Sequence, residues 1–365
     1  MKSNVLLRGG AFLAAVASLA GMPVSDAEAQ KADFSGKRIE MVVPFPPGGG
    51  SDVYSRALAP FFEKHLPGNP TIIIRNVPGG GSITGANQFN SRAKPDGLHV
   101  LVCSSSTVAN FVFKRDKFEL DLIKMAPVLL SPQGSVIYAS SALGVSGARD
   151  LAKLKGQALT FGGNGPTAAE LRMIATLDLL GLQQVKYVWG IARGPTRLAF
   201  ERGEFNINYD TTPGYLKNAS KLVKAGKATP LFALGVLDEK GGLVRDPNFP
   251  DLPSFAEAYE IMHGKKPSGA GYEAWKAILQ MGVMANKSIL LPAGTPQPIV
   301  DAWRAAARKT LDDPEFEKNA AAVIEGYPQF VGEAARPIMK GAITLSPEVW
   351  DWIRTFLKTK HDVTL

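Results

Sequence analysis

A single cysteine, Cys103, stands in 365 residues. No internal disulfide can form, and a cysteine-built zinc site, which needs at least two thiolates, is excluded. The four histidines, His65, His99, His263 and His361, lie far apart with no H-E-x-x-H spacing, which argues against a histidine-built metal centre. Beyond the N-terminal segment no apolar run approaches the roughly 20 residues of a membrane-spanning helix. Phosphate-binding signatures are missing as well. No lysine follows either glycine run, and G-x-G-x-x-G fails because Gly48-x-Gly50 leads to Val53 and Gly79-x-Gly81 to Thr84. The nucleophile elbow G-x-S-x-G fails at the same places: Gly49-x-Ser51 leads to Val53, and Gly80-x-Ser82 to Thr84. Basic residues form no cluster interleaved with aromatics, so no nucleic-acid partner is expected.

What is present is an ordinary globular composition, 45% hydrophobic and 20% charged, with a net charge of +8 that concentrates anions near the surface. Lys2 and Arg8 precede an apolar stretch from Ala11 to Met22, and Ala27-Glu28-Ala29 offers a small-x-small cleavage site. This layout predicts a secretory signal peptide over residues 1–29 and export to the periplasm. No cysteine near the junction is present to carry a lipid. The remaining length predicts two domains.

Short apolar runs alternate with amphipathic stretches. Strands are expected at Arg38 to Pro44, Thr71 to Arg75 and His99 to Cys103, with helices at Asp52 to Leu66 and Ile83 to Ala93 between them. Strands at Val136 to Ala139, Leu159 to Phe161, Gln184 to Val188, Phe205 to Tyr209 and Pro230 to Leu237 follow, with helices at Thr167 to Leu180, Pro195 to Arg202 and Tyr215 to Ala225. Three later helices begin near Pro298, Pro314 and Pro347, where proline costs little in the first turn. The alternation predicts an α/β fold with mainly parallel sheets covered by helices.

One motif occurs twice. Pro47-Gly48-Gly49-Gly50-Ser51 follows the first strand and Pro78-Gly79-Gly80-Gly81-Ser82 the second, each opening a helix. Glycine lets the backbone approach a ligand closely, and first-turn N–H groups attract anions. Two parallel neighbouring strands place both turns on one rim, the ligand side of an open α/β sheet. The run Ser104, Ser105, Ser106 and Thr107 adds hydroxyl donors after the third strand. Cys103 reads as a buried core thiol, and Lys217, Lys221, Lys224 and Lys227 as a solvated helix face. With two helix ends and three or four bonds to a carboxylate, no arginine is strictly required.

The segment RIEMVVPFPPGGGSDVYSRALAPFFEKHL, followed by NVPGGGSITGANQFNSRAKPDGLHVLVCSSST, resembles the substrate-binding proteins of the tripartite tricarboxylate transporter family, the Bug-type periplasmic receptors. Gly163-Asn164-Gly165, the stretch from Gly203 to Asp210, and Leu291 to Pro296 resemble further family segments. The resemblance implies a two-lobed periplasmic-binding-protein-like fold with an interdomain cleft. Lobe 1 would be residues 30–130 plus 233–365, and lobe 2 residues 131–232. It implies a receptor that captures a small organic carboxylate (a di- or tricarboxylate, amino acid or aromatic acid) for a membrane permease, acting as a monomer without cofactor or metal. Ligand contacts are expected from Phe45, Gly48, Gly49, Gly50, Ser51 and Asp52, from Gly80, Gly81 and Ser82, from Ser104, Ser105, Ser106 and Thr107, and from Asn164, Gly165, Asp210 and Thr211. The chain departs from the family at Pro166 to Glu170 and at Trp189 to Arg193, second-lobe positions that tune the distal part of the ligand; Trp189 and Arg193 are open to two readings, contact with an aromatic or second acidic group or, for Trp189, simple packing. A secreted hydrolase and a receptor serving a signalling partner are the alternatives.

Overall fold

The computed structural model describes residues 32–113, 117–238, 241–324 and 326–365. The expected signal segment lies outside the described residues. The first three strands form where the β-branched and apolar runs lie: β1 (Arg38–Val43), β2 (Thr71–Asn76) and β3 (His99–Cys103). β1 pairs in parallel with β2 on one side and β3 on the other. Period-two alternation sorts their side chains. Met41, Val43, Val100 and Val102 join one core with Tyr54, Phe62 and Trp303, while Val42, Leu101 and Cys103 face a second core that holds Phe161, Phe255 and Trp275. The connecting helices α1 (Gly50–His65) and α2 (Ile83–Arg92) match expectation within two residues.

The parallel expectation holds for this trio and is corrected beyond it. The sheet continues β3–β12–β4–β13, with β4 (Ala126–Ser131), β12 (Lys287–Leu291) and β13 (Phe330–Val331), and each of these contacts is antiparallel. A second sheet, β8–β5–β9, is antiparallel throughout, built from β5 (Ser135–Ser140), β8 (Ile207–Thr211) and β9 (Ala228–Ala233). β6 (Leu159–Gly163) and β7 (Val185–Trp189) pair in parallel, and β10 (Val236–Leu237) and β11 (Leu243–Val244) make a small antiparallel ribbon. The physical reason is the chain path. Strands that close one sheet after a detour through another return in the opposite direction, whereas only the local strand–helix–strand units run parallel. The architecture is α/β and two-lobed.

Two elements are displaced from their expected places. β8 begins two residues late because Asn206 is held outside it: its Oδ1 accepts from Thr160 N–H at 2.7 Å and its N–H donates to the Thr160 carbonyl at 3.1 Å. The helix expected from Thr167 starts only at Leu171, as α4 (Leu171–Leu179). The residues before it form turns, and the Ala169 N–H is taken by Ser106 Oγ at 3.0 Å. Helix α3 (Ser105–Val112) and the helices Phe255–His263, Ala270–Leu279 and Ala335–Ile343 were not expected. Cys103 is buried, and burial pushes its thiol up to about 12, as suits a core residue. The four lysines of the basic stripe are exposed. Among the described residues no helix is long and apolar enough to cross a membrane, and no His/Cys/Asp/Glu group is arranged to hold a metal.

Candidate functional site

The first glycine turn ends β1 and opens α1. Its N-cap, Gly49, supplies no side-chain bond, so the following N–H groups lack internal partners and carry positive partial charge. Gly48, at φ +81°, makes the sharp corner. Asp52, expected to touch ligand, instead braces this turn. Its carboxylate accepts from Gly48 N–H at 2.9 Å, Arg56 Nε at 2.9 Å and Asn76 Nδ2 at 3.0 Å. Burial alone would raise its pKa, but these donors outweigh burial and hold it below the usual value. Asn76 also donates to the Phe45 carbonyl at 2.9 Å, tying the turn to the end of β2.

At the end of β3, α3 presents a second helix N-terminus. Here the hydroxyl oxygens of Ser104 and Thr107 accept within a capping box, and that of Ser106 accepts from the Ala169 N–H. Of the four expected hydroxyl donors, Ser105 is the one left without a protein partner. The two helix ends that meet are therefore those after β1 and β3, not the two glycine turns. The second turn lies on the same rim but stands off the cavity. Asn110 Nδ2 donates to the Gly81 carbonyl at 3.0 Å and to Ser82 Oγ at 3.3 Å, and Ser82 is fully buried. A Cβ on Gly81 would touch Asn164, Asn110 and Ala168.

The opposite wall comes from β6, α4, α5 (Arg193–Glu201) and β8. Phe45, Gly49, Gly50, Ser51, Ser104, Ser105 and Ser106 face Asn164, Arg172, Arg193, Tyr209 and Thr211 across a cavity of ≈ 40 Å³, with Lys287 also lining it. That is room for roughly three waters, so the cleft is narrow. Gly48, Gly80, Gly81, Ser82, Thr107, Gly165 and Asp210 are not part of its lining. Asp210 is consumed by its neighbours, accepting from Arg197 at 2.8 and 2.6 Å and from Tyr138 Oη at 2.9 Å. Closure brings Gly50 so near Thr211 that a Cβ there would overlap Thr211 Oγ1. Gly50→Ala should hold the cleft ajar and weaken carboxylate affinity about 10- to 100-fold, in line with the 1–3 kcal/mol cost of overpacking. Adding Thr211→Ala removes the obstructing hydroxyl and should restore affinity, which calorimetric titration of both variants checks.

Three basic side chains line the cavity beside the helix ends. Arg193 donates to Asn208 Oδ1 at 2.8 Å, to the Tyr209 carbonyl at 3.1 Å and to the Gly162 carbonyl. It lies over the Tyr209 ring at 4.5 Å, and its Nε stands 3.2 Å from Glu170 Oε1. Trp189 stacks on Tyr187 at 5.2 Å and is not among the lining residues. Arg172, 1% exposed, donates from Nη1 to the Gly282 carbonyl at 2.5 Å, while its Nε and Nη2 have no partner. Gly282 lies in a π-helical turn, Gln280–Met284, and a Cβ there would press on Arg172 Cδ and Nη1. Lys287, 2% exposed, donates to Asn286 Oδ1 at 2.6 Å. Burial, then the charge of Arg172, push its amine down to about 7.

The sequence pattern of the tripartite tricarboxylate transporter family receptor (TctC) matches residues 55–325. The chain belongs to this receptor family. A relative in Bordetella pertussis, a UPF0065 protein, is 31% identical over 324 residues, covering 87% of each chain. Among solved structures, the periplasmic binding protein BugD aligns with a TM-score of 0.65 at 21% identity, over 88% of this chain and 97% of that one. MatC from Rhodopseudomonas palustris, with bound malate, aligns at 0.64 and 21%, over 87% and 98%. These likenesses confirm the two-lobed fold. TctC-family receptors are periplasmic solute-binding proteins of transport systems, and the family is not an enzymatic one.

Arg172 and Lys287 were missed by sequence reasoning, although each left a signal. Lys287 shares its strand face with the fully buried Ile289 and Leu291, a core position by period two. Arg172 stands between Leu171 and Met173 in a wholly apolar helix start. A charge on a core face points to a buried role.

Proposed function

We propose that the protein is a periplasmic receptor that encloses a small organic carboxylate between its lobes and delivers it to the permease of a tripartite transporter, acting as a monomer. The observation that carries this reading is a narrow cavity lined by two helix N-termini and by an arginine with two unpartnered nitrogens. An unpaired buried cation is costly, and an anion removes that cost. Each helix end contributes about 0.3–2 kcal/mol to an anion and each charge-assisted bond about 1.5–3 kcal/mol. Three or four such bonds meet the roughly −8 kcal/mol of micromolar affinity after ordering costs. Malate in MatC, and adipate in a second Rhodopseudomonas palustris protein of TM-score 0.65, are carboxylates of the class proposed here.

Within this reading lobe 2 begins at the passage from Ser131 to Ser135. We place the return to lobe 1 near Lys287, a reading supported by the order of the first sheet, which the chain rejoins at β12. Titration of the purified protein with a panel of mono-, di- and tricarboxylates should give one-to-one binding with no change in the ligand by mass spectrometry. Failure of every carboxylate to bind, or turnover of any of them, overturns the proposal.

A further inference from the structure

We infer that Arg172 and Lys287 form a cationic floor that selects doubly charged anions, and that the ligand enters the cleft together with one proton taken up at the Lys287 amine. This rests on the carboxylate-receptor reading and goes beyond it by naming the residues that count charge.

The charges around the cavity do not balance. Arg193 is compensated, because Glu170 stands against its Nε. Arg172 is not: its Nη1 meets only a neutral carbonyl, its guanidinium lies 5.2 Å from the centre of the neutral Tyr209 ring, and no carboxylate is bonded to it. Lys287 meets only the neutral amide oxygen of Asn286. Two buried cationic positions thus lack an anion. A monoanion compensates one of them, whereas a compact dianion compensates both. Before ligand arrives, the Arg172 charge and the dry surroundings keep Lys287 partly as the free amine. An arriving dianion reverses that balance, and Nζ gains a proton from solvent to become the ammonium.

The titratable and charged groups packed about Lys287 leave it as the one that responds near neutrality. Glu170 is paired with Arg193. Burial pushes the Tyr209 hydroxyl and the Cys103 thiol up to about 12, and Tyr54, bonded at 2.7 Å to the Ser131 hydroxyl on the neighbouring strand, higher still. None of those three ionises between pH 6 and 9.

The test is calorimetric titration at pH 6, 7, 8 and 9 in two buffers of different ionisation enthalpy. The probes are oxalate, malonate, malate, succinate and adipate, each beside a monocarboxylate of matched length. The inference predicts that the best dicarboxylate outcompetes its matched monocarboxylate at least 100-fold. Its affinity should fall about 50- to 100-fold from pH 6 to pH 9, with close to one proton taken up per ligand at pH 8. Lys287→Arg, which stays charged, should bind with no proton uptake and a flat profile. Lys287→Met should bind weakly, also with a flat profile. A pH-independent wild type, a slope that survives in Lys287→Arg, or equal affinity for the monocarboxylate overturns the inference while leaving a carboxylate receptor standing. Absence of binding by every probe overturns both.

Discussion

Lys287→Met is expected to raise the melting temperature of the ligand-free protein while removing most of its affinity for ligand. The wild-type amine titrates at about 7 in the fold and near 10.4 in an unfolded chain. The unfolded state therefore binds more protons than the folded state between those values. Below pH 7 the full cost of burying the ammonium, about 5 kcal/mol, weighs against folding. As pH rises from 7 to about 10.4 that cost fades, so wild-type stability climbs through this window. Methionine fills a similar volume without a charge. The gain should be about 10 °C at pH 6 and should vanish by about pH 10.5. Differential scanning calorimetry of both proteins across that range checks the sign and the window. A destabilised variant at pH 6, or a difference that does not change with pH, would show that Lys287 is not held as a strained cation.

Arg172→Met should have the largest effect on binding. Arg172 lines the cavity, and two of its guanidinium nitrogens are buried without a hydrogen-bond partner. Losing two charge-assisted bonds of about 1.5–3 kcal/mol each predicts a roughly 10²- to 10⁴-fold loss of affinity. The fold should survive, since the bond given up goes to a single carbonyl, that of Gly282, and methionine fits the apolar stem. A stem-only role would instead lower the melting temperature and leave affinity within a few-fold. Calorimetric titration paired with thermal unfolding separates the two.

The first third of the chain was legible because its structure is local. β1, β2 and β3 are β-branched runs separated by glycine turns and amphipathic helices, and each unit closes on its neighbour in parallel. Later strands pair across long sequence separations. Nothing in the five residues of β12 says that they will enter between β3 and β4. The same divide runs through the site. Gly49, Gly50, Ser51 and Ser105 could be found because helix N-termini are written locally. Arg172 and Lys287 line one cavity although they stand 115 positions apart in sequence (287 − 172). Asp52, Asp210 and Thr107 were read as ligand contacts because their type suits the chemistry. The structure spends each on a neighbour whose position only folding reveals: Gly48 and Arg56, Arg197, and the cap of α3. The pairing of identical glycine turns was a misleading signal. The repeat marks two similar bends on one rim, but β3 sits on the other side of β1 and brings its serine turn to the cavity instead.

The most direct measurement is a crystal structure of the protein with its tightest carboxylate from the panel. The account predicts carboxylate oxygens within hydrogen-bond distance of the α1 first-turn amides and of Arg172 Nη2 or Nε. A ligand bound elsewhere, or one held in the cleft with Arg172 still unpartnered, would contradict it.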